Sequence, residues 1–209
     1  MMKINKLSTH NDFKKLCYEN ESNKHWTPKS YEIRWSYHSI VLDMLSNEID
    51  NINTSIEVGS EGFLVIKDSE VFQGDLRHPT FKRDAMSGKE TKQPRWPFDD
   101  KQFDMFIALE VWEHLWNINN KSFVNVDKYD IDYPNIQASV FKEVMRVSKN
   151  AIFSFPFMWT VGNTSITNCH YQIDREIIKK WTCGVEPIEI IDGHNEHKDG
   201  IRTVYRWKF

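Results

Sequence analysis

The sequence predicts an α/β domain built on a mostly parallel sheet, and three stretches carry that expectation. Met105, Phe106, Ile107, Ala108 and Leu109 run without a charge and end on Glu110. A short apolar run of this kind suits a strand buried on both faces of a parallel sheet. Thr54 to Gly59, TSIEVG, reads as the first strand and runs into Gly59-Ser60-Glu61-Gly62. Gln137 to Ser148 has a helical pattern and is followed by Asn150 to Phe157, NAIFSFPF, a second buried strand. Open parallel sheets bind ligands just outside the carboxyl ends of their strands. Glu110 falls at such an end.

Composition sets outer bounds. The 209 residues are enough for one domain with a full core. The formal net charge of −3 and the absence of a Lys/Arg block argue against a nucleic-acid surface. No stretch reaches the roughly 18 apolar residues that a membrane span needs. The first residues, MMKINKLSTHNDFKK, lack an apolar core, so no secretory signal is expected. Cys17, Cys169 and Cys183 are scattered, without a CxxC pair, as in reduced cytoplasmic proteins. The 13 Phe, 8 Trp and 7 Tyr should fill a core and line a ligand pocket.

Residues 1–52 read as an N-terminal helical cap and 53–209 as the core. Residues 1–28 are polar, with a weak helical pattern at Phe13, Leu16 and Cys17. A helix is expected from Tyr31, after Pro28 and with Ser30 as N-cap. Its apolar face is Ile33, Tyr37, Ile40, Val41, Met44 and Leu45; its polar face carries Glu32, Arg34 and Asp43. Phe63 to Ser69 is too short for a long helix, so a loop or single turn should lead to a strand at 71–74 and then Asp75. Ser87 to Arg95 is a polar loop. A helix starting near Val111 would gather Glu110, Glu113 and His114 around its first turn. Residues 117–135 read as an inserted loop. Val140, Phe141, Val144 and Met145 should face inward from the helix at 137–148, and Pro156 should end the following strand. Asp174 is a helix N-cap. Glu189 to Ile191 and Thr203 to Trp207 read as the last two strands.

WPFDDKQFDMFIALEVWEHL, residues 96–115, resembles the PF-x-D-x-x-FD-(apolar)-E-V-x-E-H-L signature of class I S-adenosylmethionine (SAM)-dependent methyltransferases, closest to the small-molecule type-11 branch. The resemblance implies a Rossmann-like fold, with helices on both faces of a mostly parallel sheet and an antiparallel C-terminal strand. It implies SAM as cofactor. By the same resemblance Glu57, Gly59 and Ser60 belong to the Gly-rich turn that the cofactor approaches. Asp75 would meet the ribose hydroxyls, Asp84 and Ala85 the adenine, and Glu110 the cofactor as well. Motif I departs from the usual G-x-G-x-G, having only Gly59 and Gly62. Tyr31, Arg34, Trp35 and His38 would fall where the family's N-terminal helices approach ligand.

The segment from Cys169 resembles the family's stretch in which a His precedes a helix N-cap. His114 and His170 are therefore the expected general bases, with Glu110 beside them. In some relatives an E-x-x-E-H pattern plus a later His holds a divalent cation. Glu110, Glu113, His114 and His170 match that pattern, as an alternative to a metal-free site. The implied activity is O-methylation of a small hydrophilic acceptor, such as a sugar or phosphoramidate intermediate of capsular polysaccharide biosynthesis. Expected partners are that small molecule and neither nucleic acid nor membrane, with homo- or hetero-oligomers left open. The altered motif I leaves open an alternative: a degenerate SAM-fold protein acting as non-catalytic partner of an active methyltransferase.

Overall fold

The computed structural model describes residues 6–19, 27–72, 76, 96–115, 136–159, 170, 172–193 and 201–209. Six strands form one sheet: β1 (Ser55–Val58), β2 (Glu70–Val71), β3 (Met105–Leu109), β4 (Asn150–Phe157), β5 (Glu189–Asp192) and β6 (Ile201–Lys208). Their order is β2-β1-β3-β4-β6-β5. The first four are parallel; β6 runs antiparallel to both β4 and β5. From β1 the chain moves outward to β2, then returns on the other side to β3. The carboxyl ends of β1 and β3 therefore flank a topological switch point, where open sheets bind ligands.

β1 and β3 are buried because both faces of the sheet are covered. On one face Ile56, Val58, Phe106 and Ala108 pack with residues of α3 (Ile136–Val147) and α4 (Arg175–Trp181). On the other, Met105 and Ile107 pack with Tyr37, Val41, Met44 and Leu45 of α2 (Pro28–Ser46). Alternate residues of one strand thus serve opposite layers. The expected inward face of α2 holds, with Ile33 and Ile40 half-buried. Its start differs: the helix begins at Pro28, so Ser30 lies inside it and is not its N-cap. Proline is tolerated in a first helical turn, whose N–H groups have no intrahelical partner. Asp174 is the N-cap of α4, its side chain accepting from the Ile177 N–H at 2.8 Å. Pro156, expected to end its strand, lies inside β4 opposite Arg202.

The short stretch after β1 is a loop, held by the N-terminal arm. Leu7 bridges Ile66, the Ser8 N–H donates to the Val65 carbonyl and the Lys67 N–H to the Lys6 carbonyl. Behind it, Phe13 and Cys17 of α1 (His10–Glu19) pack on Phe63. Of the strand expected at 71–74, β2 includes Val71, and residues 73 and 74 lie outside the described residues. The helix expected after Glu110 is a 3-10 turn, Trp112–Leu115. The insertion near 117–135 lies outside the described residues.

Residues 96–104 clamp α3. The Lys101 ammonium donates to the Met145 and Ser148 carbonyls (2.6 and 2.9 Å), capping the helix C-terminus. Arg146 binds Glu143, Asp100 and the Trp96 and Phe98 carbonyls. The WPFDD block is thereby fixed to the helix that precedes β4.

Candidate active site at the carboxyl ends of β1 and β3

Glu110 leaves β3 with φ +56°, a left-handed turn that ends the strand. Its N–H donates to the Ser154 carbonyl, and the Ser154 hydroxyl donates to its Oε1 at 3.0 Å. Arg202 Nε donates to Oε2 at 2.7 Å. Both carboxylate oxygens are thus engaged. Arg202 itself lies over the rings of Trp159 (4.6 Å) and Tyr37 (5.4 Å).

The 3-10 turn drives Trp112 into the core against Phe153 and turns Glu113 inward. Glu113 is fully buried, and neither of its carboxylate oxygens has a hydrogen-bond partner among the described residues. His114 Nε2 and His170 Nε2 lie 3.7 and 3.6 Å from its Oε1, and 3.3 Å from each other. Burial, then the charge of Glu110, pushes the Glu113 carboxyl well above the usual carboxylate range. Burial pulls His114 down and His170 to about 4. Near neutrality both rings are therefore uncharged. One ligand atom from each of Glu113, His114 and His170 fits within 4.8 Å of the others, an arrangement able to hold a metal ion. Glu110 is outside that set, being held by Arg202 and Ser154.

At the end of β1 the geometry is different. Glu57 turns under the loop, and its carboxylate accepts from the Val65 N–H, the Ile66 N–H and the Ser69 hydroxyl, each at 2.8 Å. Burial outweighs these donors and pushes the carboxyl up to about 7. Gly59 has φ +66°, and a Cβ there would come within 2.5 Å of Val111 Cγ2. Glycine is required both by the backbone and by that close approach. A small cavity opens here, lined by Arg34, His38, Glu57, Gly59, Ser60 and Leu109 among others. His38 is buried, hydrogen-bonded to the Arg34 carbonyl at 2.8 Å, and pulled down to about 3 by burial.

The structure thus brings Glu57, Gly59 and Ser60 together at one strand end and Glu110, His114 and His170 at the next. Asp75, Asp84 and Ala85 lie outside the described residues. Of the α2 residues, Arg34 and His38 line the cavity, while Tyr31 and Trp35 pack around Phe13 of α1. Sequence reasoning missed Ser154, Trp159 and Arg202. The only available signal was a charge at the start of an apolar strand.

The sheet order, its switch point and the antiparallel β6 define a Rossmann-like doubly wound fold, carrying a cluster of titratable groups at the ligand-binding edge. No protein-family model matches the chain, and no curated protein matches it in sequence. Several solved structures similar to it in fold are methyltransferases. One is N-methyltransferase NodS from Bradyrhizobium japonicum WM9 in complex with S-adenosyl-L-homocysteine (SAH), with 10% identity, 91% of this chain and 90% of that chain covered, TM-score 0.48. Another is magnesium protoporphyrin IX methyltransferase (ChlM) from Synechocystis PCC 6803 with bound SAM, with 10% identity, 96% and 92% covered, TM-score 0.48. A third is a SAM-dependent methyltransferase from Aquifex aeolicus, with 11% identity, 95% and 97% covered, TM-score 0.46.

Proposed function

We propose that the protein transfers the methyl group of SAM to an oxygen of a small hydrophilic acceptor. The observation that carries the reading is the pairing, across one switch point, of the tight Gly59 turn with the Glu110/Glu113/His114/His170 group. SAM fits the first: the left-handed glycine lets a ligand approach the backbone, and the cavity opens beside it. Gly59 and Ser60 would meet its methionine end, and Asp75, Asp84 and Ala85 its nucleoside. Glu57 would act from beneath, holding the loop that shapes the turn. SAM supplies an electrophilic methyl group, and the protein aligns the acceptor with it. His114 and His170, uncharged near neutrality, would take the acceptor's proton. A sugar or phosphoramidate of capsule biosynthesis is the acceptor class that the sequence resemblance favours.

A second reading of the same cluster is favoured by one observation, the buried Glu113 carboxylate that has no donor among the described residues. Buried polar groups are almost always satisfied. Glu113, His114 and His170 would satisfy theirs by holding a divalent cation. One carboxylate and two imidazoles suit Mn²⁺, Fe²⁺ or Zn²⁺ better than Mg²⁺. Such an ion would supply a Lewis acid at the acceptor side.

Calorimetric titration with SAM and SAH tests the cofactor. Asp84→Ala should weaken binding by about 1.5–3 kcal/mol, one hydrogen bond to a charged group. His114→Ala should leave SAH affinity unchanged and lower turnover by roughly 10²–10⁴-fold. Normal turnover in both His114→Ala and His170→Ala would return the cluster to the scaffold. Absence of SAH binding would favour the non-catalytic alternative.

A further inference from the structure

The acceptor side of the site holds a guanidinium that is fixed but not fully used. Arg202 opens β6, whose start lies at the carboxyl edge of the parallel strands. Three contacts hold it: the 2.7 Å bond from Nε to Glu110, the Trp159 ring and the Tyr37 ring. Its side chain is 15% exposed. Among the described residues Nη1 and Nη2 have no hydrogen-bond partner, and neither is a sealed, unsatisfied atom. Trp159 also packs against His170, with ring centroids 5.2 Å apart. Arg202, Trp159, His170 and His114 therefore form one contiguous wall.

Charge adds to this. Arg202 and Arg34 both act on His170, and Arg34 lines the cavity beside Gly59. Arg202 is the guanidinium that pairs with Glu110. A planar fork with its Nη edge open matches a carboxylate or phosphate through two parallel hydrogen bonds, and stacking removes the entropy cost of fixing it.

We propose that Arg202 anchors an anionic oxygen group, carboxylate or phosphate, carried by the molecule that receives the methyl group. The proposal rests on the methyl-transfer reading and deepens it. Glu110 and the two rings act as positioning residues for the fork. Arg34, on the Gly59 side, is left to the cofactor.

The test uses the full-length protein saturated with SAH, titrated calorimetrically with inorganic phosphate and with acetate at constant ionic strength. Saturable binding of phosphate alone identifies a phosphorylated acceptor, and of acetate alone a carboxylate acceptor. Arg202→Lys keeps the charge and loses the fork, so affinity should fall at least tenfold while SAH affinity is retained. Lys15→Ala, at an exposed cation of α1, should change neither. Should Arg202→Lys fail to fold, the wild type still decides. The Trp159 indole N–H donates to the Ile201 carbonyl at 3.1 Å, next to Arg202. Its NMR resonance should shift with the anion. Lack of saturable binding by either anion, wild-type affinity in folded Arg202→Lys, or a titration that moves only other indoles overturns the proposal. A protein that binds SAH but no anion defeats this inference alone; one that binds no SAH defeats the methyl-transfer reading.

Discussion

Two carboxylates, Glu57 and Glu113, are buried at neighbouring strand ends, and they have opposite surroundings. Glu57 is met by three donors from one loop. Among the described residues Glu113 is met by none, and faces two imidazoles instead. A buried carboxylate met by three donors organises backbone. An unsatisfied one is costly to keep, and a fold retains such a group where something else completes it. The first strand end is therefore read as architecture beneath the Gly59 turn, and the second as the place for a ligand.

The contrast can be broken most directly by substitution. Glu57→Ala should strand three buried donors and destabilise the fold by roughly 3–5 kcal/mol, read as a lower urea midpoint. Glu113→Gln should leave that midpoint unchanged or raise it, while turnover falls. Equal destabilisation by both would erase the distinction.

A metal titration sharpens it. Mn²⁺ at about 100 times its dissociation constant should stabilise the wild type by about 2.7 kcal/mol, seen as a higher melting temperature. Glu113→Gln and His170→Ala should show no such gain, and Glu57→Gln should keep it. A chelator should reverse the shift.

The smallest effect is on pH dependence, and its sign differs between the two ends. Glu57 is raised in the fold from an ordinary 4.5 to about 7. Its contribution is full below about pH 4.5 and is lost as pH rises through 7. His170 is lowered from 6.5 to about 4. Its contribution is full above about pH 6.5 and is lost as pH falls through 4. Melting temperatures across pH should show Glu57→Gln flattening the first window and His170→Asn the second.

How much of this was legible in the sequence follows from what is local. The apolar run of β3, the alternating helix and strand of α3 and β4, and the Asp174 cap depend on neighbours in the chain, and each formed where read. The Glu110-to-His114 spacing placed three groups, Glu110, Glu113 and His114, at one strand end. His170 joined them as the resemblance implied. The Arg202 fork was not legible, because its partners Glu110, Tyr37 and Trp159 come from three distant segments. The same holds for Glu57: its acidic position was visible, but its donors come from a loop whose path is set by residues 6–8. The 3-10 turn in place of a helix was hidden by good helical spacing, which the burial of Trp112 and Glu113 overrode.

The contact between Gly59 and Val111 joins two stretches that look like separate signatures. A methyl group on Gly59 would strike the Val111 side chain, and the backbone there is left-handed besides. The Gly59 turn and the segment that opens with Val111 are therefore packed as a single unit. A smaller residue at 111 would remove the clash with a side chain at 59 but not the strain of its left-handed backbone.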